Sequence, residues 1–255
     1  MESHDIDTQS NGGKSLDGQT ALITGASKRI GAAITRILHE AGANVVLHYR
    51  SSAAEADALA CSLESARPNS THVLQADLLD TTEVEQLANR ATAHWGRLDI
   101  LVNNASAFYP TPVGTINEQA WEELVHSNLK APLFLSQACA NALRTEAGCI
   151  INLADIHGES PLAEHTIYCV AKAGLIMLTK SLARELAPSV RVNAIAPGAI
   201  LPPPGVEQMD DAFIEKIPLK RVGGTDPIAE TALFLAHPDS YITGQVVRVD
   251  GGISL

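Results

Sequence analysis

The sequence predicts a single α/β domain: an open, doubly wound parallel sheet of about seven strands with helices on both faces. Three observations predict it. Short β-branched or apolar runs recur along the chain, amphipathic stretches long enough for crossover helices separate them, and nothing between them reads as a linker. With 255 residues, 45% hydrophobic and 18% charged, the chain has material for one sizeable core.

The runs at residues 20–25, 44–49, 72–77, 99–105, 149–155, 191–196 and 245–249 are the predicted strands. Residues 30–41 and 82–95 carry the clearest helical periodicity. Residues 1–15 are rich in Ser, Asp, Asn, Gln and Gly without apolar periodicity, so a loose tail is expected ahead of a domain spanning 16–255. One loop is unusual. At 198–211, Pro202, Pro203, Pro204 and Gly205 oppose regular structure just after a strand end, which makes the segment a candidate substrate loop.

Charge and composition exclude several classes. A net charge of −11 disfavours nucleic-acid binding, which needs a basic face. No basic start leads into an apolar stretch, and no run of about 18 uninterrupted apolar residues offers a membrane span, so the expected compartment is the cytosol. Cys61, Cys139, Cys149 and Cys169 lack CxxC pairing and clustering with His; reduced thiols are expected, and no metal site.

In a doubly wound sheet, ligands sit beyond the carboxyl ends of the strands. After the first strand comes Thr24-Gly25-Ala26-Ser27-Lys28-Arg29-Ile30-Gly31, a turn whose amides and following helix suit a pyrophosphate, although any strand-to-helix turn also uses glycine. The second strand ends His48-Tyr49-Arg50-Ser51-Ser52. A carboxylate there would accept from a free ribose 2′-OH; instead Arg50 follows, Lys28 adds charge from the turn, and the next acid is Glu55. NADPH is therefore favoured over NADH, the alternative being two ordinary surface cations. Asp77 and Asn103-Asn104-Ala105 end the third and fourth strands, where they suit an adenine edge and a ribose, or serve as turn formers.

Tyr168 and Lys172 lie four apart at the start of a helix, hence on one face. A phenol near pKa ~10 is a poor neutral-pH catalyst; an adjacent ammonium would stabilise phenolate and bring it towards the working range. Asn128 sits in an intervening helix.

In this order, TGxxxxxG, NNA, Asn, YxxxK and PG resemble the short-chain dehydrogenase/reductase family, with its Rossmann-type fold, across the chain from Leu16. The resemblance implies Tyr168 as acid/base, Lys172 as ribose anchor and Asn128 as water-relay anchor. It implies cofactor contacts from Gly25, Lys28, Arg29 and Ile30, from His48, Tyr49, Arg50, Ser51 and Ser52, and from Asp77, Leu78, Asn104 and Ala105. Tyr168, Lys172, Pro197, Gly198 and Ile200 complete that set, and Asp250-Gly251-Gly252 matches the C-terminal turn.

The family usually has Gly at Arg29 and Ser at Asp155. Both departures add charge. A carboxyl group suits ring nitrogens, an amino group or a proton-delivering water, and Arg29 can meet phosphate and substrate together, so a flat, nitrogen-rich substrate is implied. TGASKRIG, HYRSSAAEA and NNASAFYPTP are further similar to pteridine reductases. That resemblance implies a pterin or folate substrate held by Arg29, Ser106, Phe108, Asp155 and Tyr168, with Asp155 catalytic and Phe108 stacking the ring. Without it, Phe108 is a loop aromatic and Asp155 a turn cap. HYRSS stands where those relatives often carry HYHRS, shifting the Arg by one position. The basic anchor is thus displaced with NADPH still favoured, and a homotetramer is implied by resemblance alone. Two rivals stay open: a reductase of 3-oxoacyl thioesters or other carbonyls, and a dinucleotide-binding regulatory protein with little catalysis.

Overall fold

The computed structural model describes residues 15–202 and 208–255. Seven parallel strands form one sheet: β1 Thr20–Ile23, β2 Asn44–Tyr49, β3 Thr71–Gln75, β4 Ile100–Asn103, β5 Cys149–Leu153, β6 Arg191–Pro197 and β7 Val246–Val249. Their order is β3-β2-β1-β4-β5-β6-β7. The direction of winding reverses between β1 and β4, and that reversal opens a crevice at the carboxyl edge.

The connections are helical, as parallel pairing requires. They are α1 Arg29–Glu40, α2 Ala53–Ala66, α3 Thr81–Trp95, α4 Glu118–Val125, α5 Ala131–Thr145, α6 Thr166–Leu186, α7 Asp211–Ile214 and α8 Asp226–Ala236. One core lies between the sheet and α1, α2 and α8, with Ile23, Ile34, Leu38, Leu47, Val102 and Leu235 at its centre. The second lies on the opposite face under α3, α5 and α6, around Leu22, Val46, Leu87, Leu101, Leu143 and Ile150. β1, β4 and β5 are buried at every position because helices cover both their faces, which is why they read as unbroken apolar runs.

The amino edge of the sheet is clamped by charge. Buried Asp99 accepts from the Thr20 amide at 2.8 Å and from Arg97 Nε at 2.9 Å, and Arg97 also reaches Glu146 at 2.8 Å.

Several strands stop two residues short of the sequence expectation. β1, β3, β4 and β5 end at Ile23, Gln75, Asn103 and Leu153 rather than at residues 25, 77, 105 and 155. The reason is local: at these ends the backbone turns away from its neighbours and its polar groups bond to side chains, such as the Asn104 and Ala105 amides on Thr24 Oγ1. Those extra residues form the ligand edge.

By length and composition α6 could cross a membrane, with a mean hydropathy of 1.3. In the fold it packs against β6 and carries buried Tyr168 and Lys172. The expected N-terminal tail, apart from its last residue, and residues 203–207 of the expected substrate loop lie outside the described residues. The four cysteines are free thiols; Cys61 is exposed and the others are buried.

Candidate active site

The cofactor cleft occupies the β1/β4 reversal, with a volume of about 430 Å³, and every cofactor residue expected at the first four strand ends lines it. Its shape is set by backbone. Gly25 has φ +62°, the left-handed region that glycine enters at no steric cost. Gly31 admits no side chain, because a Cβ there would fall 2.1 Å from the Gly25 carbonyl oxygen. Asn104 closes the same turn from the β4 side, its Nδ2 donating to the Thr24 and Gly25 carbonyls at 2.8 and 3.1 Å. The ribose-facing expectation for Asn103 is corrected: that side chain is buried and donates to Asn152 Oδ1 at 2.8 Å, and Asn152 donates on to Thr179 Oγ1 at 2.9 Å.

The second strand end also differs from the sequence reading. His48 is 1% exposed; its Nδ1 accepts from the Gly25 amide at 3.2 Å and its Nε2 bonds the Ala76 carbonyl at 3.0 Å. Burial pulls its pKa from 6.5 to about 4, so the ring is neutral and braces the glycine turn, with neither nitrogen left for a ligand. Lys28 is not a free cation: its ammonium meets Glu55 Oε1 at 2.6 Å. The Arg50 carbonyl accepts from Gln75 Nε2 at 3.0 Å, while among the described residues its guanidinium has no ion-pair partner. Asp77 acts as a turn former, its Oδ1 accepting from the Leu79 amide at 3.0 Å, and it still faces the cleft.

A second cavity of about 330 Å³ adjoins the first. Arg29, Ser106, Phe108, Asp155, Tyr168, Lys172, Pro197, Gly198 and Ile200 all line it, so the expected substrate residues and the remaining cofactor residues converge there. Tyr168 donates its hydroxyl to Asp155 Oδ2 at 2.7 Å, and Asp155 Oδ1 accepts from the His157 amide at 2.8 Å. Asp155 thus both caps the following short 3₁₀ turn, Ile156–Gly158, and holds the phenol.

The expectation that Lys172 activates Tyr168 does not describe this arrangement. Lys172 Nζ donates to the Leu153 carbonyl at 2.7 Å and stands 5.6 Å from the centre of the Tyr168 ring. Burial first, and the Asp155 charge second, push the phenol pKa up rather than down. Burial also pulls Lys172 down to about 8. The reason is geometric: an i,i+4 spacing places both groups on one helix face, but their hydrogen-bond partners are the last residue of β5, Leu153, for Lys172 and Asp155, two residues beyond it, for Tyr168.

Asn128 lies outside both cavity walls, in a π-helical turn, His126–Lys130, between α4 and α5. Pro132 has no N–H to offer the Asn128 carbonyl four residues earlier, a break in the helical ladder common near functional sites. Its side chain receives the Ser106 hydroxyl on Oδ1 at 2.7 Å and donates to the Ala107 carbonyl at 2.8 Å. Phe108 is 55% exposed and stacks on His165, ring centres 4.6 Å apart, and makes a T-shaped contact with the Tyr168 ring at 4.8 Å. Arg29 has φ +53°, a strained conformation for a residue with a side chain, and its Nη2 donates to the Pro202 carbonyl at 3.1 Å.

Sequence reasoning missed His157, which lines the second cavity, and His165, which backs Phe108. Neither belongs to a spaced motif; only the proximity of His157 to Asp155 and of His165 to Tyr168 signalled them.

Comparison with known proteins adds the following. A family model described as enoyl-(acyl carrier protein) reductase matches residues 25–254. Pteridine reductase 1 of Leishmania tarentolae is 38% identical, the match covering 92% of this chain and 96% of that protein. A 3-oxoacyl-[acyl-carrier-protein] reductase of Staphylococcus aureus is 37% identical over 92% and 98% of the two chains. The solved structure of a Serratia marcescens short-chain dehydrogenase/reductase double mutant superposes with a TM-score of 0.89 at 30% identity, covering 94% of this chain and all of that one. With its sheet order, its Tyr168 and Lys172 at the crevice, and these matches, the chain belongs to the short-chain dehydrogenase/reductase family.

Proposed function

We propose that the chain is an NADPH-dependent reductase of the pterin ring, taking a biopterin or monapterin at the oxidised or dihydro level and dihydrofolate as a related substrate. The observation that carries this reading is the Tyr168–Asp155 hydrogen bond of 2.7 Å in a cavity also lined by Arg29, Ser106 and Phe108. It puts a proton donor and a carboxylate side by side, which suits a ring with both acceptor nitrogens and an amino group.

The residues present fit a dinucleotide. Gly31 packs so closely on Gly25 that a Cβ would fall 2.1 Å from its carbonyl oxygen, and the backbone amides of this turn, with Lys28 and Arg29 beside them, suit a pyrophosphate. The cofactor, when bound, supplies the hydride. Arg50, Lys28, Ser51 and Ser52 would hold the 2′-phosphate, while Tyr168, Lys172, Pro197, Gly198 and Ile200 would meet the ribose and nicotinamide.

Tyr168 stays protonated well above neutrality in this environment and so serves as the proton donor of a reduction. Asp155 orients that hydroxyl and pairs with the amino and ring nitrogens of the substrate. Phe108, 55% exposed and backed by His165, stacks on the substrate ring. Asn128, whose carbonyl lacks a donor at Pro132, anchors the water that re-protonates Tyr168.

Exposed Leu133 and Val170, with Met177, on α5 and α6, and Phe234 and Tyr241 elsewhere, support assembly as a homotetramer, and we place the enzyme in the cytosol. The rival reading takes its support from the Staphylococcus relative named for 3-oxoacyl reduction. Against it stands Asp155, a carboxylate poorly matched to an acyl chain.

The test is NADPH oxidation with dihydrobiopterin, dihydromonapterin, dihydrofolate and an acetoacetyl thioester in parallel. Turnover of a pterin is expected. Thioester turnover without pterin turnover would overturn the reading, and no turnover with any of them, together with tight dinucleotide binding, would favour a regulatory role.

A further inference from the structure

We propose that Glu55 determines cofactor selectivity: its carboxylate is an internal counter-ion that occupies Lys28 until a 2′-phosphate displaces it. The inference rests on the assignment of this cleft to NADPH and deepens it.

The local sequence Ser52-Ala53-Ala54-Glu55 has the form of a capping box, in which the Ser hydroxyl accepts from the fourth residue's amide and the Glu reaches back to the Ser amide. The structure uses the residues differently. Ser52 makes no capping bond with its side chain, and Glu55, in the first turn of α2, turns to Lys28 on the glycine turn at 2.6 Å. That ammonium holds the Glu55 carboxyl below the ordinary carboxylate value. Lys28 lines the cleft together with Arg50, Ser51 and Ser52, and the ion pair ties it to Glu55 on α2, just behind that lining.

Charge decides the consequence. Lys28, Arg29 and Arg50 are the cations lining this cleft, and Glu55 cancels one of the three in a protein whose net charge is −11. A 2′-phosphate, at roughly −1.5 to −2, is a stronger partner for Lys28 than a carboxylate is. Its arrival makes the Lys28–Glu55 pair redundant and sets two anions side by side, so Glu55 must turn to water. Both side chains are about half exposed, which keeps the exchange cheap. NADH carries no phosphate and provokes no exchange. Glu55 thus weakens NADPH binding specifically and narrows the preference over NADH.

The experiment is Glu55→Gln, which keeps the shape and removes the charge, with dissociation constants for NADPH and NADH measured by fluorescence at two salt concentrations. The expected result is NADPH bound about three- to tenfold more tightly, with NADH within about twofold of wild type and a steeper salt dependence for NADPH alone. Glu55→Ala should reproduce the gain, so a folding defect in one variant leaves the other to decide. Unchanged NADPH affinity in both variants would overturn the proposal. So would weakened NADH binding with NADPH unaltered, which would make Glu55 an acceptor for the free ribose hydroxyl. A wild-type protein that binds NADH more tightly than NADPH would fail the underlying cofactor assignment instead, a result read without any variant.

Discussion

The cofactor cleft and the reactive cavity share Arg29, Ile30, Asn104 and Ser106, yet they are made of different material. In the cofactor cleft the form comes from backbone: a left-handed glycine, a second glycine with no room for a Cβ, and Asn104 bonding two carbonyls. Its cations are exposed: Lys28 pairs with Glu55 and Arg29 reaches the Pro202 carbonyl, while the Arg50 guanidinium has no ion-pair partner among the described residues. In the reactive cavity the form comes from side chains that are buried and bonded to one another, with Tyr168 on Asp155 and Lys172 on the Leu153 carbonyl. The contrast has a functional meaning. Screened surface charges in the first cleft tune affinity by modest factors, whereas a single atom removed from the second removes a chemical step.

The largest effect should therefore come from the reactive side. Tyr168→Phe deletes the proposed proton donor, the hydroxyl on Asp155, while keeping the ring against Phe108. Turnover with the best substrate of the panel should fall by about 10³-fold, as expected for loss of a positioned general acid, with NADPH affinity within about twofold. Steady-state kinetics beside a binding titration checks both halves. Retained turnover would take the acid role away from Tyr168.

Asp155→Ser tests what distinguishes this cavity from the more usual family pattern. It should lower pterin kcat/KM by about 10²-fold, because a substrate that hydrogen-bonds a carboxylate loses its partner, and it should raise thioester turnover relative to pterin. The pH profile provides a second reading. Asp155 raises both the Tyr168 phenol and the Lys172 ammonium, the latter held down to about 8 by burial, so its removal should move the alkaline limb of the profile to lower pH. An unchanged limb would mean that the Asp155 charge governs neither group in the working enzyme.

Much of the fold was legible because it is written in apolar periodicity: seven parallel strands, with β1, β4 and β5 covered on both faces, leave seven short hydrophobic runs. The location of the site was legible as well, since TGxxxxxG, NNA and YxxxK follow strands whose carboxyl ends must meet at the crevice. What sequence did not carry was the direction of individual side chains. Asn103 and Asn104 are neighbours of one residue type, yet one enters a buried ladder with Asn152 and the other closes the glycine turn, because successive residues at a strand end point to opposite faces. His48 was read as a ligand contact and is a brace, since nothing in a run of HYRSS tells that both ring nitrogens find backbone partners. The Lys28–Glu55 pair escaped for a similar reason: the residues are 27 apart and meet only through the β1–β2 pairing.

That brace supplies the smallest expected effect, and it is one of stability with no change of chemistry. His48 has a folded pKa of about 4 against 6.5 for an unperturbed ring, so between those values the unfolded chain binds a proton that the folded one refuses. Stability linked to His48 is complete above pH 6.5 and declines as the pH falls towards 4, at up to about 1.4 kcal/mol per pH unit. His72 is lowered too and adds to the same slope, so the informative quantity is the difference between wild type and His48→Gln. The variant should be less stable at pH 7.5, having lost at least one of the bonds to Gly25 and Ala76, and should show a flatter decline in thermal midpoint between pH 6.5 and 4.5. If the two slopes coincide, the His48 ring takes up its proton in the folded protein as readily as in the unfolded chain, and its burial does not set the pH dependence.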